Sequence, residues 1–145
     1  ETIDLISDLI DFVSLGTNDL TQYALAVDRG NARLAHLADP LHPAMIRFYA
    51  RVQAEASRLG LEIDVCGDLA ADSVGLALLL GLGYRDFSLS VSSIPEAREV
   101  VRSVSCDELE EICGSLGAEQ VVGLKIRLRE YLATAVPFDT APAAS

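Results

Sequence analysis

Three short polar clusters carry the residue types that could move a proton or hold an anion: Gly16-Thr17-Asn18-Asp19, Asp28-Arg29-Gly30-Asn31 and Cys66-Gly67-Asp68. Asn18 and Asp19 set an amide beside a carboxylate, a hard-oxygen pair suited to Mg²⁺ and to a substrate phosphate or hydroxyl. The same residues also make an ordinary turn followed by a helix cap, and spacing alone weighs the two readings evenly. Arg29 offers a guanidinium to an anionic oxygen, or equally to a surface ion pair. Cys66 is followed by glycine, which lets a ligand come close to the backbone. Its thiol can give a proton to a carbanion or attack an electrophile. Against this, a cysteine that ends an apolar run is more often packed and inert. His36 and His42 read as structural, and the acidic run from Asp107 to Glu111 reads as a solvated first helical turn.

The elements that must position these clusters follow from periodicity. Ile3 to Ile10 reads as the end of an amphipathic helix, and Phe12 to Leu15 as a short strand too apolar for a solvent-facing edge. A long polar connection with a helical turn at Leu20 to Leu25 leads to Pro43, which opens a helix that runs to Leu59 and stops at Gly60. Leu61 to Val65 is a second strand. Asp72 caps a helix from Ser73 to Gly81, and Asp86 to Ser90 is a third strand, followed by Ser92 and Ser93. Ser93 with Glu96, and Ser105 with Glu108, have capping-box spacing, which predicts helices from Ile94 and Cys106. A last helix spans Glu119 to Leu132, and the Pro/Ala-rich tail from Val136 should fray. The domain is thus residues 1–135, with 136–145 as its tail. Alternating β and α predicts an α/β fold with a parallel sheet, and in such sheets the carboxyl ends of the strands form one rim where ligands bind. The three polar strand ends converge there. Because parallel strands need burial on both faces, three of them predict further βα units before Glu1.

Composition excludes several classes. The 145 residues carry 22 acidic and 11 basic side chains, a net charge of -11, and half are hydrophobic. That is too apolar for a disordered tail, and the charge repels nucleic acid. No apolar run is long enough for a membrane span, and no leader pattern opens the chain. Three cysteines, with no C-x-x-C pair and no histidine at zinc spacing, fit a reducing cytoplasm and neither a disulfide framework nor a zinc site. Cys106 and Cys113 lie seven apart on one helix face, which favours core packing. The first residue, Glu1, predicts a chain that begins inside a longer protein.

The stretch from Phe12 to Tyr23 (FVSLGTNDLTQY), Ala26 to Asn31, Pro40-Leu41-His42-Pro43, Val65 to Ala70 and Phe87 to Ser90, in that order, resembles the Enzyme I family of the bacterial phosphotransferase system. The resemblance runs to about Leu132. It implies the carboxyl-terminal portion, about three βα units plus terminal helices, of a phosphoenolpyruvate-binding (β/α)8 TIM barrel. It also implies an activity: the phosphoryl group of phosphoenolpyruvate passes to a histidine on another domain, and pyruvate is released. Carried onto this chain, Asp19 is implied as a Mg²⁺ ligand, Asn18, Asp19 and Arg29 as substrate contacts, and Cys66 as the acid that protonates the enolate carbon. The second metal carboxylate, the phosphohistidine and the phosphocarrier-docking domain are implied to lie before Glu1, so the chain alone should not turn over. Asp68 stands where the family more commonly has glutamate. The implied partners are phosphoenolpyruvate, a phosphocarrier protein and a second copy of the full-length protein, in the cytoplasm. Pyruvate phosphate dikinase and phosphoenolpyruvate synthase share the Gly-Thr-Asn-Asp-Leu and Cys-Gly signals, although Leu25 to Asn31 favours Enzyme I. A non-catalytic dimerisation piece is the reading from another class. Nothing in these residues separates a sugar-transport from a nitrogen-regulatory form.

Overall fold

Three segments in which apolar and polar side chains alternate pair as a parallel sheet in the order β1-β2-β3: β1 (Phe12–Gly16), β2 (Glu62–Cys66) and β3 (Asp86–Ser88). The computed structural model describes residues 2–28, 30–114 and 118–137. Leu15 lies opposite Val65 and Val65 opposite Phe87, while Gly16 lies opposite Cys66 and Cys66 opposite Ser88. The expected α/β class with parallel strands is therefore present, as a small sheet covered by helices and consistent with part of a barrel. All three strands end in register, so the polar clusters do share one rim.

Six α-helices complete the described residues: α1 (Thr17–Leu25), α2 (Pro43–Leu59), α3 (Ser73–Gly81), α4 (Ile94–Ser103), α5 (Cys106–Cys113) and α6 (Ala118–Ala135). Their ends follow local chemistry. The His42 Nδ1 accepts from Ala44 N at 3.2 Å beside Pro43, so His42 is the structural residue expected. Gly60, at φ 70°, closes α2 while Leu61 N reaches back to Ala56 O at 3.0 Å. This wrapping of the helix end uses the Leu61 amide, so β2 starts at Glu62 and runs through Cys66, one residue later than predicted. Asp72 Oδ1 accepts from Gly75 N at 2.8 Å and starts α3 as expected.

The core lies between the sheet and the helices. Met45, Ile46 and Tyr49 of α2, Ile63 and Val65 of β2, Leu76 to Leu80 of α3, and Leu109, Leu124 and Leu128 of α5 and α6 are all buried. The helix α3 is buried along nearly its whole length and packs on α4, α5 and α6. Cys113 is buried and Cys106 packs against the same core, as their spacing predicted. No helix among the described residues is long and apolar enough to cross a membrane.

Several expectations need correction. Ile3 to Ile10 is not helix but two 3₁₀ turns, Ile3–Leu5 and Ser7–Leu9. Ile6 at φ -123° interrupts the ladder, Ser7 Oγ donates to Asp4 O, and Leu5 and Leu9 are 75% and 81% exposed, so no core rewards a full helix. The first strand is an edge of the sheet order, with Phe12 62% exposed. The third strand ends at Ser88, before the Val91–Ser93 turn. No capping box forms at Ser93: its hydroxyl meets Ser90 Oγ at 2.8 Å, and Glu96 instead accepts from Ser73. At Ser105 half of the box forms, since the Ser105 hydroxyl accepts from Glu108 N at 3.5 Å and α5 starts at Cys106 as predicted, but the return bond is taken over by a third residue: Ser105 N donates to Tyr131 OH, which donates to Glu108 Oε2. The acidic run is not wholly solvated either, since Glu110 pairs with Arg85 at 2.7 Å. Val136 is buried and its amide bonds Leu132 O, so the tail does not fray at that residue. The rest of the predicted tail, 138–145, lies outside the described residues.

Candidate functional site

The loop after β1 and the loop after β2 are tied to each other by side chains. Asn18, in the first turn of α1, accepts from Asp68 N at 3.1 Å through Oδ1 and donates to Asp68 Oδ2 at 3.1 Å through Nδ2. An amide satisfied at both ends holds two backbone segments at a fixed spacing. Thr17 makes a second tie: its hydroxyl donates to Cys66 O at 3.0 Å. Thr17 and Thr21 are the two buried polar residues among those described. Thr21 Oγ1 gives its proton to Thr17 O at 2.7 Å, so it accepts from Tyr49 OH at 3.3 Å. A run of hydroxyls thus leads from the α2 core to the carbonyl of Cys66. Burial holds the Tyr49 phenol above its ordinary value, which keeps it a neutral donor.

Gly67 explains the close approach of the two loops. Its φ of 114° and ψ of 179° are open to glycine and strained for any other residue. A side chain there would also run into Thr17 Oγ1 and come within 3.1 Å of Asn18 Oδ1. The Gly after Cys66 therefore serves the packing of the β1 and β2 loops, in addition to any closeness to a ligand.

Cys66 ends β2 half-buried, with its sulfur 3.7 Å from Leu15 O and 3.7 Å from Ser14 Oγ. Ser14 also lies 3.2 Å from Asp64 Oδ2, and Ser88 Oγ donates to the same carboxylate at 3.1 Å. Ser14, Asp64 and Ser88 thus form a hydrogen-bonded row across β1, β2 and β3, beneath the thiol and on the sheet face opposite the helices. The sequence puts Thr17 in a candidate cluster without a role of its own, and it singles out neither Thr21 nor this row. Its signal was the alternation in Glu62-Ile63-Asp64-Val65-Cys66, which sends Asp64 and Cys66 to one face.

The predicted site residues come together in part. Cys66, Asn18 and Asp19 share the rim, Asn18 through its clasp on Asp68 and Asp19 as an exposed carboxylate in the first turn of α1, where the helix dipole favours it. Arg29 lies outside the described residues. Its neighbour Asp28 accepts from Gly30 N at 2.8 Å and so shapes the local turn. Among the described residues no three His, Cys, Asp or Glu side chains gather closely enough to hold a metal ion. Asp19 is a hard-oxygen donor fit for Mg²⁺ but supplies one ligand, so further donors would have to join it. The serines after β3 form a small hydroxyl cluster, Ser90 reaching Ser92 at 3.1 Å and Ser93 at 2.8 Å.

A parallel sheet whose strands end together in polar loops, with a thiol on the last residue of its central strand, defines an α/β protein whose polar residues gather at the carboxyl rim, the edge of such sheets where ligands generally bind. Residues 2–106 match the PEP-utilising enzyme, PEP-binding domain family, and the chain belongs to it. It is 46% identical over 103 residues (71% of this chain, 14% of the relative) to a protein of Escherichia coli named phosphoenolpyruvate-dependent phosphotransferase system. It is 44% identical over 103 residues (71% and 18%) to the phosphoenolpyruvate-protein phosphotransferase of Cupriavidus necator. It is 42% identical over 107 residues (74% and 19%) to the protein of that name from Priestia megaterium. The chain thus spans 14% to 19% of the length of these curated relatives.

Proposed function

We propose that this chain is part of a phosphoenolpyruvate-protein phosphotransferase of the Enzyme I type, and that it supplies the part of a barrel rim on which enolpyruvate becomes pyruvate. The observation that carries the reading is Cys66 at the carboxyl end of the central strand of a chain in the phosphoenolpyruvate-binding family. In this reading the sheet continues into a (β/α)8 barrel with strands from outside these residues. Residues 1–135 are the barrel portion.

The roles follow from residue chemistry. Asp19 would hold Mg²⁺, which when bound neutralises charge on the phosphoryl group. Asn18 and Arg29 contact substrate oxygens, Asn18 from a position set by its clasp on Asp68. After the phosphoryl group has left for a histidine elsewhere in the protein, Cys66 gives its proton to the methylene carbon of the enolate. Thr17 holds the Cys66 carbonyl, so the thiol is carried on backbone fixed at both strand ends. A phosphocarrier protein as the next acceptor, self-association of the full-length protein, and a cytoplasmic setting belong to the same reading; the names of the relatives support its phosphoenolpyruvate-dependent phosphotransferase chemistry.

Cys66→Ala in the full-length protein is the test. Net pyruvate formation should fall by roughly 10²–10⁴-fold, the usual worth of a positioned acid, while phosphorylation of the protein by phosphoenolpyruvate, measured by rapid quench, stays largely intact. Loss of both signals in a folded variant would give the thiol another role. Full retention of pyruvate formation would remove it from the chemistry.

A further inference from the structure

We propose that Ser14 is a positioning residue for the Cys66 thiol, and that Asp64 holds its hydroxyl until the sulfur has lost its proton. The proposal rests on the reading of Cys66 as an acid and deepens it. Ser14 Oγ lies 3.2 Å from Asp64 Oδ2 and 3.7 Å from Cys66 Sγ. A hydroxyl has one hydrogen, so it serves one acceptor at a time. While the sulfur is protonated, the ionised carboxylate is the stronger acceptor, and the thiol can donate to Leu15 O at 3.7 Å. In the proton transfer the S–H bond breaks with its electron pair left on sulfur. The new C–H bond forms with the π electrons of the enolate, whose oxygen becomes the keto oxygen of pyruvate. The resulting thiolate now faces the Leu15 carbonyl oxygen with nothing to donate. Turning about the Ser14 C–O bond brings its hydrogen to the sulfur. Asp64 is not left bare by this exchange, because Ser88 Oγ lies 3.1 Å from both of its oxygens. Glu62 and Asp86 are the other charged groups that these strands put on the same face, Asp86 directly opposite Asp64 in the register.

The two residues therefore act on the thiolate in opposite senses: Ser14 stabilises it, and Asp64 opposes it by charge and by competing for the same hydrogen. Alkylation by iodoacetamide at one pH near 8, followed site by site by mass spectrometry in the full-length protein, reads this directly. Ser14→Ala should slow alkylation of Cys66 roughly three- to tenfold, and Asp64→Asn should speed it by a similar factor. Ser14→Thr, which keeps the hydroxyl, should restore the rate to within about twofold. Cys106 and Cys113 should not change. Unchanged Cys66 rates in both variants, or equal changes at all three cysteines, would overturn the assignment. Asp64→Asn keeps the shape of the site and reads the same coupling should Ser14→Ala unfold the sheet edge. The readout needs no turnover. Unmoved alkylation with pyruvate lost in Cys66→Ala overturns Ser14 alone, whereas retained pyruvate in Cys66→Ala overturns the acid role and the catalytic meaning of Ser14 with it.

Discussion

The two faces of the sheet differ as sharply as the inside and outside of the molecule. One carries Leu15, Ile63 and Val65 against α2 and α3 and is buried, while the other carries Ser14, Asp64, Cys66 and Ser88 in a hydrogen-bonded row. Both come from the same strands, because successive side chains point to opposite faces. The covered face supplies stability through apolar burial and the open face supplies acceptors and a thiol. One strand thus does both without compromise at either. The rim joins them: Thr17 and Thr21 run from the buried side to the Cys66 carbonyl, so the position of the thiol depends on packing it does not touch.

Damage to the covered face should be felt as lost stability. Leu78 is wholly buried in α3, and Leu78→Ala should lower the unfolding free energy by about 2–5 kcal/mol in urea titration. At a urea concentration where the variant remains folded, the Cys66 alkylation rate should stay as it was. A changed rate there would mean that the two faces are coupled more tightly than the geometry implies.

Gly67 belongs to the joint between the faces, so its replacement should register on both. Gly67→Ala meets a strained φ of 114° and the Thr17 hydroxyl, and should cost about 1–3 kcal/mol. Displacement of the Thr17 hydroxyl should also alter Cys66 alkylation, unlike Leu78→Ala. A variant with full stability and an unchanged rate would show that the loop finds another backbone path.

A smaller effect should appear at alkaline pH, at a cysteine of the covered side. Burial pushes the Cys113 thiol up from 9.0 to about 11, and Cys113 is 2% exposed. The folded state therefore keeps this thiol neutral where the unfolded chain releases its proton. Its contribution is whole below pH 9 and is lost as the pH rises from 9 through 11, by ~3 kcal/mol at most. Burial moves the Tyr49 and Tyr84 phenols in the same direction, at higher pH. Urea midpoints at pH 8 and 10.5 should fall in the native protein and fall less in Cys113→Ala. An equal drop in both would assign the alkaline loss to the tyrosines.

Much of this was legible in the chain. Helix α2 begins at Pro43 and ends before Gly60, as read, because both signals act within one turn of the residues they govern. Asp72 and the strand-ending clusters were legible for the same reason. The Ile3 to Ile10 segment departs from its amphipathic spacing, because such spacing is a promise of packing and Leu5 and Leu9 stay largely exposed. The Ser93 and Ser105 boxes had the right spacing, yet Ser90 took one hydroxyl and Tyr131 entered the other box from 26 residues away.

What the sequence by itself determined was the α/β order, the parallel strands and the polar residues at their ends, since periodicity, caps and glycines act over a few neighbours. Only the tertiary structure decided that Asn18 would clasp Asp68, that Thr17 would hold the Cys66 carbonyl, and that Ser14 would stand between Asp64 and the sulfur. These partners lie 49 to 52 residues apart and meet through the parallel register that sets Gly16 beside Cys66. A register is a choice among strand alignments, and it is settled by burying Leu15, Ile63 and Val65 together, a condition that belongs to the packed core and to no single segment.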